Sequence, residues 1–227
     1  MNNIFSEGQV LLINKPYDWT SFDVVRRIRN LIKVKKIGHA GTLDPLATGL
    51  LILCTGKYTK KINEYMAREK EYAGTIVLGA TTPTYDLESI PENFKDCSHI
   101  TSQQVAEAAT KFTGEIMQVP PIYSAIKKEG KRAYEFARKG HDIQLEPRKI
   151  SISEFSTTYN NPEVKFKIVC STGTYIRSLA NDLGAALGCG GYLSELCRTR
   201  IGEFELKDAW TMEEAEQRIK EALHQNG

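Results

Sequence analysis

One carboxylate framed by glycines is the densest chemical signal in the sequence: Gly38-His39-Ala40-Gly41-Thr42-Leu43-Asp44-Pro45-Leu46-Ala47-Thr48-Gly49. Glycines at both ends let the backbone come close to a ligand, and Pro45 keeps Asp44 out of the helical region and stiffens its presentation. A carboxylate displayed in this way suits nucleophilic chemistry. An ordinary Asp-Pro turn would use the same residues. A phosphate cradle is excluded in detail: neither G-x-x-x-x-G-K-[ST] nor G-x-G-x-x-G occurs, and Gly56-Lys57 runs into Tyr58. Metal chemistry finds no motif either. His39, His99, His141 and His224 are scattered, and H-E-x-x-H, the paired H-x-E and P-C-x-x-C segments of base deaminases, and a serine nucleophile elbow are all missing. Asp86 and Glu88 alternate after Thr81-Thr82-Pro83, which reads as a surface turn.

The elements that must position Asp44 follow from periodicity. Gln9 to Ile13 reads as a strand broken by Lys15-Pro16. Ser21 then caps a helix with Val24, Val25, Ile28, Leu31 and Ile32 on one face and Arg26, Arg29 and Lys33 on the other. The apolar run Leu50 to Cys54 after the glycine loop reads as a buried strand. Glu71 to Leu78, Ile150 to Phe155 and Val164 to Cys170 are further strands; Thr101-x-x-Gln104 opens a helix to Phe112, a helix follows Gly173 as far as Leu187, and Thr211-x-x-Glu214 opens an acidic last helix. Strands and helices mix without a regular βαβ rhythm. That favours an α+β fold with a mixed, largely antiparallel sheet flanked by helices.

The chain has 227 residues, with 41% hydrophobic and 26% charged side chains, which excludes disordered, collagen-like and disulfide-stapled classes. Five cysteines, none in C-x-x-C spacing, fit reduced thiols in the cytoplasm. No signal peptide or membrane-spanning run is expected. The net charge of +2 is uninformative, but its distribution is not: residues 1–70 carry +6, 71–122 carry −5 and 123–150 carry +4. Basic blocks on either side of an acidic one would suit a polyanion gripped from two sides, and solvated helix faces would produce the same counts. The polar, basic segment 124–149, between Pro120-Pro121 and a strand, is the best candidate for a protruding, partner-touching element.

The loop G-H-A-G-T-L-D-P-L-A-T-G closely resembles the signature of the bacterial tRNA pseudouridine-55 synthase (TruB) family. The match extends through Val10-Leu-Leu-Ile-Asn-Lys-Pro16, Gly56-Lys-Tyr-Thr-Lys60, Lys70-Glu-Tyr72, Gln118-Val-Pro-Pro-Ile-Tyr-Ser-Ala125, Gly173-Thr-Tyr-Ile-Arg177, Asp182-Leu-Gly184 and Leu187-Gly-Cys-Gly190, in the family's order. The resemblance implies the pseudouridine synthase fold as one catalytic domain over residues 1–227. It also implies isomerisation of uridine 55 in the tRNA T-loop to pseudouridine, with no metal, no cofactor and no obligate protein partner. The partner is tRNA, through its T-arm. A non-catalytic RNA-binding module and a nucleotide-dependent enzyme are the rival classes; the latter lacks the lysine and acidic partners it would require.

Residue by residue, Asp44 matches the catalytic aspartate, Arg177 the active-site arginine that would keep it ionised and oriented, and Tyr72 the tyrosine that stacks on the flipped base. His39, Tyr175 and Leu196 match uridine-site positions, and Lys15 and Lys60 basic positions near the active site. Arg26 and Arg29 on the first helix and Lys131 and Arg132 in the thumb-like segment 124–149 would contact RNA, offsetting the few kcal/mol that base extrusion costs. The resemblance fails at the end, where typical bacterial members continue into a PUA-type RNA-binding domain and only about two dozen mostly acidic residues, a short helix at 205–227, follow Phe204 here. If Asp44 is the nucleophile, Asp44→Asn abolishes pseudouridine formation while affinity for tRNA changes by less than about tenfold, as product mapping and filter binding would show.

Overall fold

Strand β3 (Thr48–Thr55) is apolar on both faces because both are covered. Leu51 and Leu53 point into a core with Leu11, Ile13, Val24, Ile28, Ile32 and Ile219, whereas Leu50, Ile52 and Cys54 point into a second core with Ala40, Tyr65 and Ile201. A continuous hydrophobic run is thus the signature of a central strand. A computed structural model describes residues 3–124, 127–128, 131–132 and 145–225. The chain divides into two compact units, residues 1–73 with 196–227 and residues 74–195.

The first unit begins with a short helix α1 (Ile4–Glu7) and β1 (Val10–Lys15), which pairs antiparallel with β3 from Val10↔Cys54 to Lys15↔Gly49. Between them lie α2 (Ser21–Ile32) and β2 (Ile37–His39), the latter antiparallel to β3. After β3 come a 3-10 turn (Gly56–Lys61), α3 (Ile62–Ala67) and the start of β4 (Lys70–Leu78). Helix α2 is capped by Thr20, whose side chain accepts from the Asp23 amide while Asp23 accepts from the Thr20 amide. The cap is therefore one residue earlier than the sequence indicated, and Ser21 is released for another role.

The second unit holds the rest of β4, α4 (Ser102–Thr110), β5 (Gly114–Gln118), β6 (Lys127–Lys128), β7 (Lys131–Arg132), β8 (Arg148–Asn160), β9 (Glu163–Cys170) and α5 (Ile176–Ala186). Strand β10 (Gly191–Ile201) runs through both units, and β11 (Phe204–Glu205) and α6 (Met212–Gln225) close the first. The strand order is β1-β3-β10-β4 in the first unit and β10-β4-β9-β8-β5 in the second. The pairs β1/β3, β2/β3, β10/β11, β5/β8 and β8/β9 are antiparallel and β3/β10 is parallel, so the mixed, largely antiparallel sheet with flanking helices holds. The Thr101/Gln104 and Thr211/Glu214 caps form as read, although α4 stops short of Phe112. Strand β10 has no counterpart among the expected elements. Its polar residues obscure the alternation that marks a half-buried strand.

Gly49 shows how tightly β10 meets the loop. It has φ of +104°, and a Cβ there would lie 2.4 Å from the Arg198 carbonyl oxygen and 2.7 Å from its nitrogen. The close approach that this glycine permits is by the chain's own backbone. Gly49→Ala combines a disfavoured φ with a backbone clash, so it should lower unfolding free energy by about 2–4 kcal/mol, read from urea midpoints.

Candidate active site

The glycine loop carries its carboxylate on a β-turn. Pro45 and Leu46 occupy the central positions and the Ala47 amide donates to the Asp44 carbonyl at 3.1 Å, so proline's fixed φ sets the turn as the sequence implied. Asp44 is half-buried between buried Leu43 and Ala47. Gly38 and His39 pair with β3 and the Ala40 amide donates to the Ile52 carbonyl at 2.9 Å, whereas the backbone of Gly41, Leu43 and Pro45 is bonded to side chains. Ser21 Oγ accepts from the Leu43 amide at 2.9 Å and donates to the Leu43 carbonyl at 3.2 Å, tying the start of α2 to the residue before Asp44.

Two buried cations hold the loop from below. Lys15, fully buried, donates through Nζ to the carbonyls of Pro16 (2.9 Å), Trp19 and Pro45 (3.0 Å). All three hydrogens of its ammonium have backbone acceptors, so it braces the loop at the basic position near Asp44 that the resemblance implied. Arg198, 1% exposed, donates from Nε to the Leu50 carbonyl (2.8 Å) and from Nη2 to the Gly41 carbonyl (3.1 Å). Burial pushes the Lys15 ammonium down from its ordinary value to about 8; the Asp44 carboxylate pulls it back up and the Arg198 guanidinium adds to the lowering. His39 ends β2 half-buried, and burial, then Arg198, lower its pKa, with the Gly41 backbone opposing. A neutral imidazole results at neutral pH.

In the second unit Arg177 lies on the first turn of α5, 5% exposed. Its Nη1 donates to the Thr84 carbonyl and its Nη2 to the Tyr123 carbonyl, both at 3.1 Å, and Nε stands 3.6 Å from Asp86 Oδ2. Asp86 is 4% exposed, so the surface turn expected around it is instead a buried carboxylate facing Arg177. Tyr175 precedes the helix and is held through its backbone: its amide donates to Gln118 Oε1 (2.8 Å) and its carbonyl accepts from Gln118 Nε2 (3.0 Å). Ser178 Oγ adds a bond to the Val119 carbonyl. The Gln118-Val-Pro-Pro and Gly173-Thr-Tyr-Ile-Arg matches are thus one bonded structure.

Tyr72 lies on β4, 8% exposed, and Leu196 on β10, half-buried, its carbonyl accepting from Thr48 Oγ1 at 3.4 Å. Lys60 is exposed on the 3-10 turn. Arg26 is exposed and paired with Asp23, and Arg29 lies over the Phe22 ring. Lys131 and Arg132 fall on β7, paired with β6; residues 125–126, 129–130 and 133–144 of the thumb-like segment lie outside the described residues. Sequence reasoning missed Arg198, Ser21 and Gln118 as site-building residues and misread Asp86; the order of the family motifs was the one signal that could have singled out Gln118. Among the described residues, no three His, Cys, Asp or Glu side chains converge as metal ligands would, and no helix is long and apolar enough to cross a membrane.

Residues 29–176 match the family described as "TruB family pseudouridylate synthase (N terminal domain)" and residues 177–225 match "tRNA pseudouridylate synthase B C-terminal domain". The chain belongs to the TruB family. This TruB family member is 52% identical over 213 residues to the tRNA pseudouridine synthase B of Flavobacterium johnsoniae, spanning 90% of this chain and 93% of that one. It is 50% identical over 216 residues to that of Phocaeicola vulgatus, 92% of each. A solved structure described as a Cbf5-Nop10-Gar1 complex superposes with a TM-score of 0.72 at 28% identity, covering 92% of this chain and 53% of that one. The pseudouridine synthase fold of the TruB family member is therefore as expected.

Lys15 gives this TruB family member an opposed pH response. The unfolded chain holds the proton to the ordinary lysine value of 10.5 and the folded chain releases it near 8, so between these values the unfolded state binds more protons and rising pH favours folding through this group. Over the same range the charge beside Asp44 is lost. The kcat should fall above about pH 8 while Tm rises relative to a Lys15→Met variant, whose own kcat is lower and lacks that alkaline limb. Rate profiles and melting curves of both proteins test it.

Proposed function

We propose that this chain isomerises uridine 55 in the T-loop of tRNA to pseudouridine. The observation that carries the reading is the Asp44 carboxylate on its Asp-Pro turn, held by the buried Lys15 and Arg198, within a TruB family sequence. Both bacterial relatives are named tRNA pseudouridine synthase B, which supports tRNA as the substrate. The uridine is flipped out of the T-loop so that it reaches the carboxylate. Asp44 acts as the nucleophile, toward C1′ or toward the base; the C1′–N1 bond breaks, uracil turns and rejoins through C5 as any bond made to the carboxylate oxygen breaks, the C5 proton leaves and N1 gains one. Atoms and electrons balance without a redox partner, so the reaction calls for no cofactor. It takes place in the cytoplasm and needs no obligate protein partner.

Tyr72 stacks on the detached base and is placed to take the C5 proton. Arg177 supplies the fixed guanidinium of the site, and His39, Tyr175 and Leu196 surround the nucleotide. Lys60, Arg26, Arg29, Lys131 and Arg132 meet phosphates. Arg177 already grips two carbonyls and faces Asp86, a three-way geometry that an ammonium on a flexible stem would not reproduce.

Release of tritium from C5-labelled uridine in tRNA tests the proposal, because binding alone leaves the C5–H bond intact. The wild type should release one tritium per pseudouridine formed. Arg177→Lys should lower kcat by at least about 100-fold, some 2.7 kcal/mol, and Tyr72→Phe should turn over weakly with near-normal binding. Binding without tritium release by the wild type would reduce the chain to an RNA-binding module.

A further inference from the structure

Two aromatic side chains beside the Asp44 loop face solvent. Tyr17 is 58% and Phe22 56% exposed, whereas neighbouring Trp19 packs into the core of the first unit. Neither exposed ring contributes to that core. Phe22 lies on the outer face of α2 with Arg29 over its ring, the guanidinium carbon 5.6 Å from the centroid, and with Arg26 one turn on. Arg27 on the same helix is paired with Glu216 of α6, its Nε 2.6 Å from the carboxylate, and Arg26 with Asp23 at 2.7 Å, so Arg29 carries the net positive charge beside the ring and the exposed Arg26 can exchange its carboxylate for a phosphate.

The backbone under these rings is fastened to the loop at two points. Lys15 Nζ joins the carbonyls of Pro16 and Trp19 to that of Pro45, and Ser21 Oγ joins the start of α2 to both polar atoms of the Leu43 backbone. Tyr17 and Phe22 are thus held in fixed register with the residues on either side of Asp44. Flat apolar faces, adjacent guanidinium groups and a rigid link to a carboxylate loop form the combination that recognises unpaired nucleotides, by base stacking on the rings and phosphate contact at the arginines.

Resting on the proposed action on tRNA, we propose that Tyr17 and Phe22 form a stacking platform for an unpaired base of the substrate RNA flanking the reacting uridine. Arg29 backs the ring and Arg26 meets the adjoining phosphate. The platform anchors the strand from which the uridine is withdrawn, and its energy is available to offset unstacking.

Steady-state kinetics and salt-dependent binding to tRNA test the platform with Phe22→Ala, Tyr17→Ala, Phe22→Trp, Arg29→Ala and, as a surface control, Met66→Ala, which is 40% exposed in the same unit. Phe22→Ala and Tyr17→Ala should each raise KM by about 5- to 50-fold with kcat reduced less than about twofold, and leave the slope of log Kd against log salt unchanged. Phe22→Trp should restore the KM, Arg29→Ala should flatten the slope by about one, and Met66→Ala should change neither. A Phe22→Ala KM within about twofold of the wild type, or a flattened slope for that variant, overturns the platform. Failure of the wild type to form pseudouridine overturns the proposed reaction and the platform together, and the wild-type arm reads that separately.

Discussion

Every polar group of a buried loop backbone needs a partner, and between Gly41 and Pro45 the loop that carries Asp44 takes several of them from side chains rather than from the sheet. The structure supplies them through side chains from outside the loop: Arg198 to Gly41, Ser21 to Leu43 and Lys15 to Pro45. Because each donor is buried and has further backbone partners of its own, moving the loop would strand several polar groups at once. The backbone on either side of the carboxylate is thereby fixed.

Burying a lysine and an arginine near each other is expensive: burial is the main cause of the lowered Lys15 pKa, and repulsion from Arg198 adds to it. The Asp44 carboxylate offsets part of that cost by pulling the Lys15 value back up. The second unit uses the same device. Arg177 takes the carbonyls of Thr84 and Tyr123 and faces Asp86, and irregular chain on either side is held by a guanidinium where a sheet ladder is missing. Such charges specify geometry more than they stabilise the fold.

Helix α2 connects core and surface. Its Val24, Val25, Ile28 and Ile32 are buried against β3, its first residue binds the loop, and its outer face carries Phe22, Arg26 and Arg29. Packing of the apolar face sets the height of the helix over β3, and through Ser21 that height sets the loop. A change in the core would therefore be felt at the site.

Much of this was written in local sequence. The Asp-Pro turn, the Thr101/Gln104 and Thr211/Glu214 caps and the buried run after Gly49 depend on residues a few positions apart, whose types and spacing state the interaction directly. The Ser21 cap was misplaced by one residue because Thr20 and Ser21 are both good caps, and only the demand of Leu43 for a partner separated them. Arg198 and Asp86 were illegible for another reason. Arg198 reaches Gly41 across 157 positions, and Asp86 meets Arg177 only once α5 and the 84–86 segment are brought together. Most partners of Lys15, Arg177 and Arg198 are backbone carbonyls, which every residue possesses. A bond to a group common to all residues leaves no mark in residue type, so the sequence determined which carboxylate is displayed, and only the tertiary structure decided which cations hold it in place.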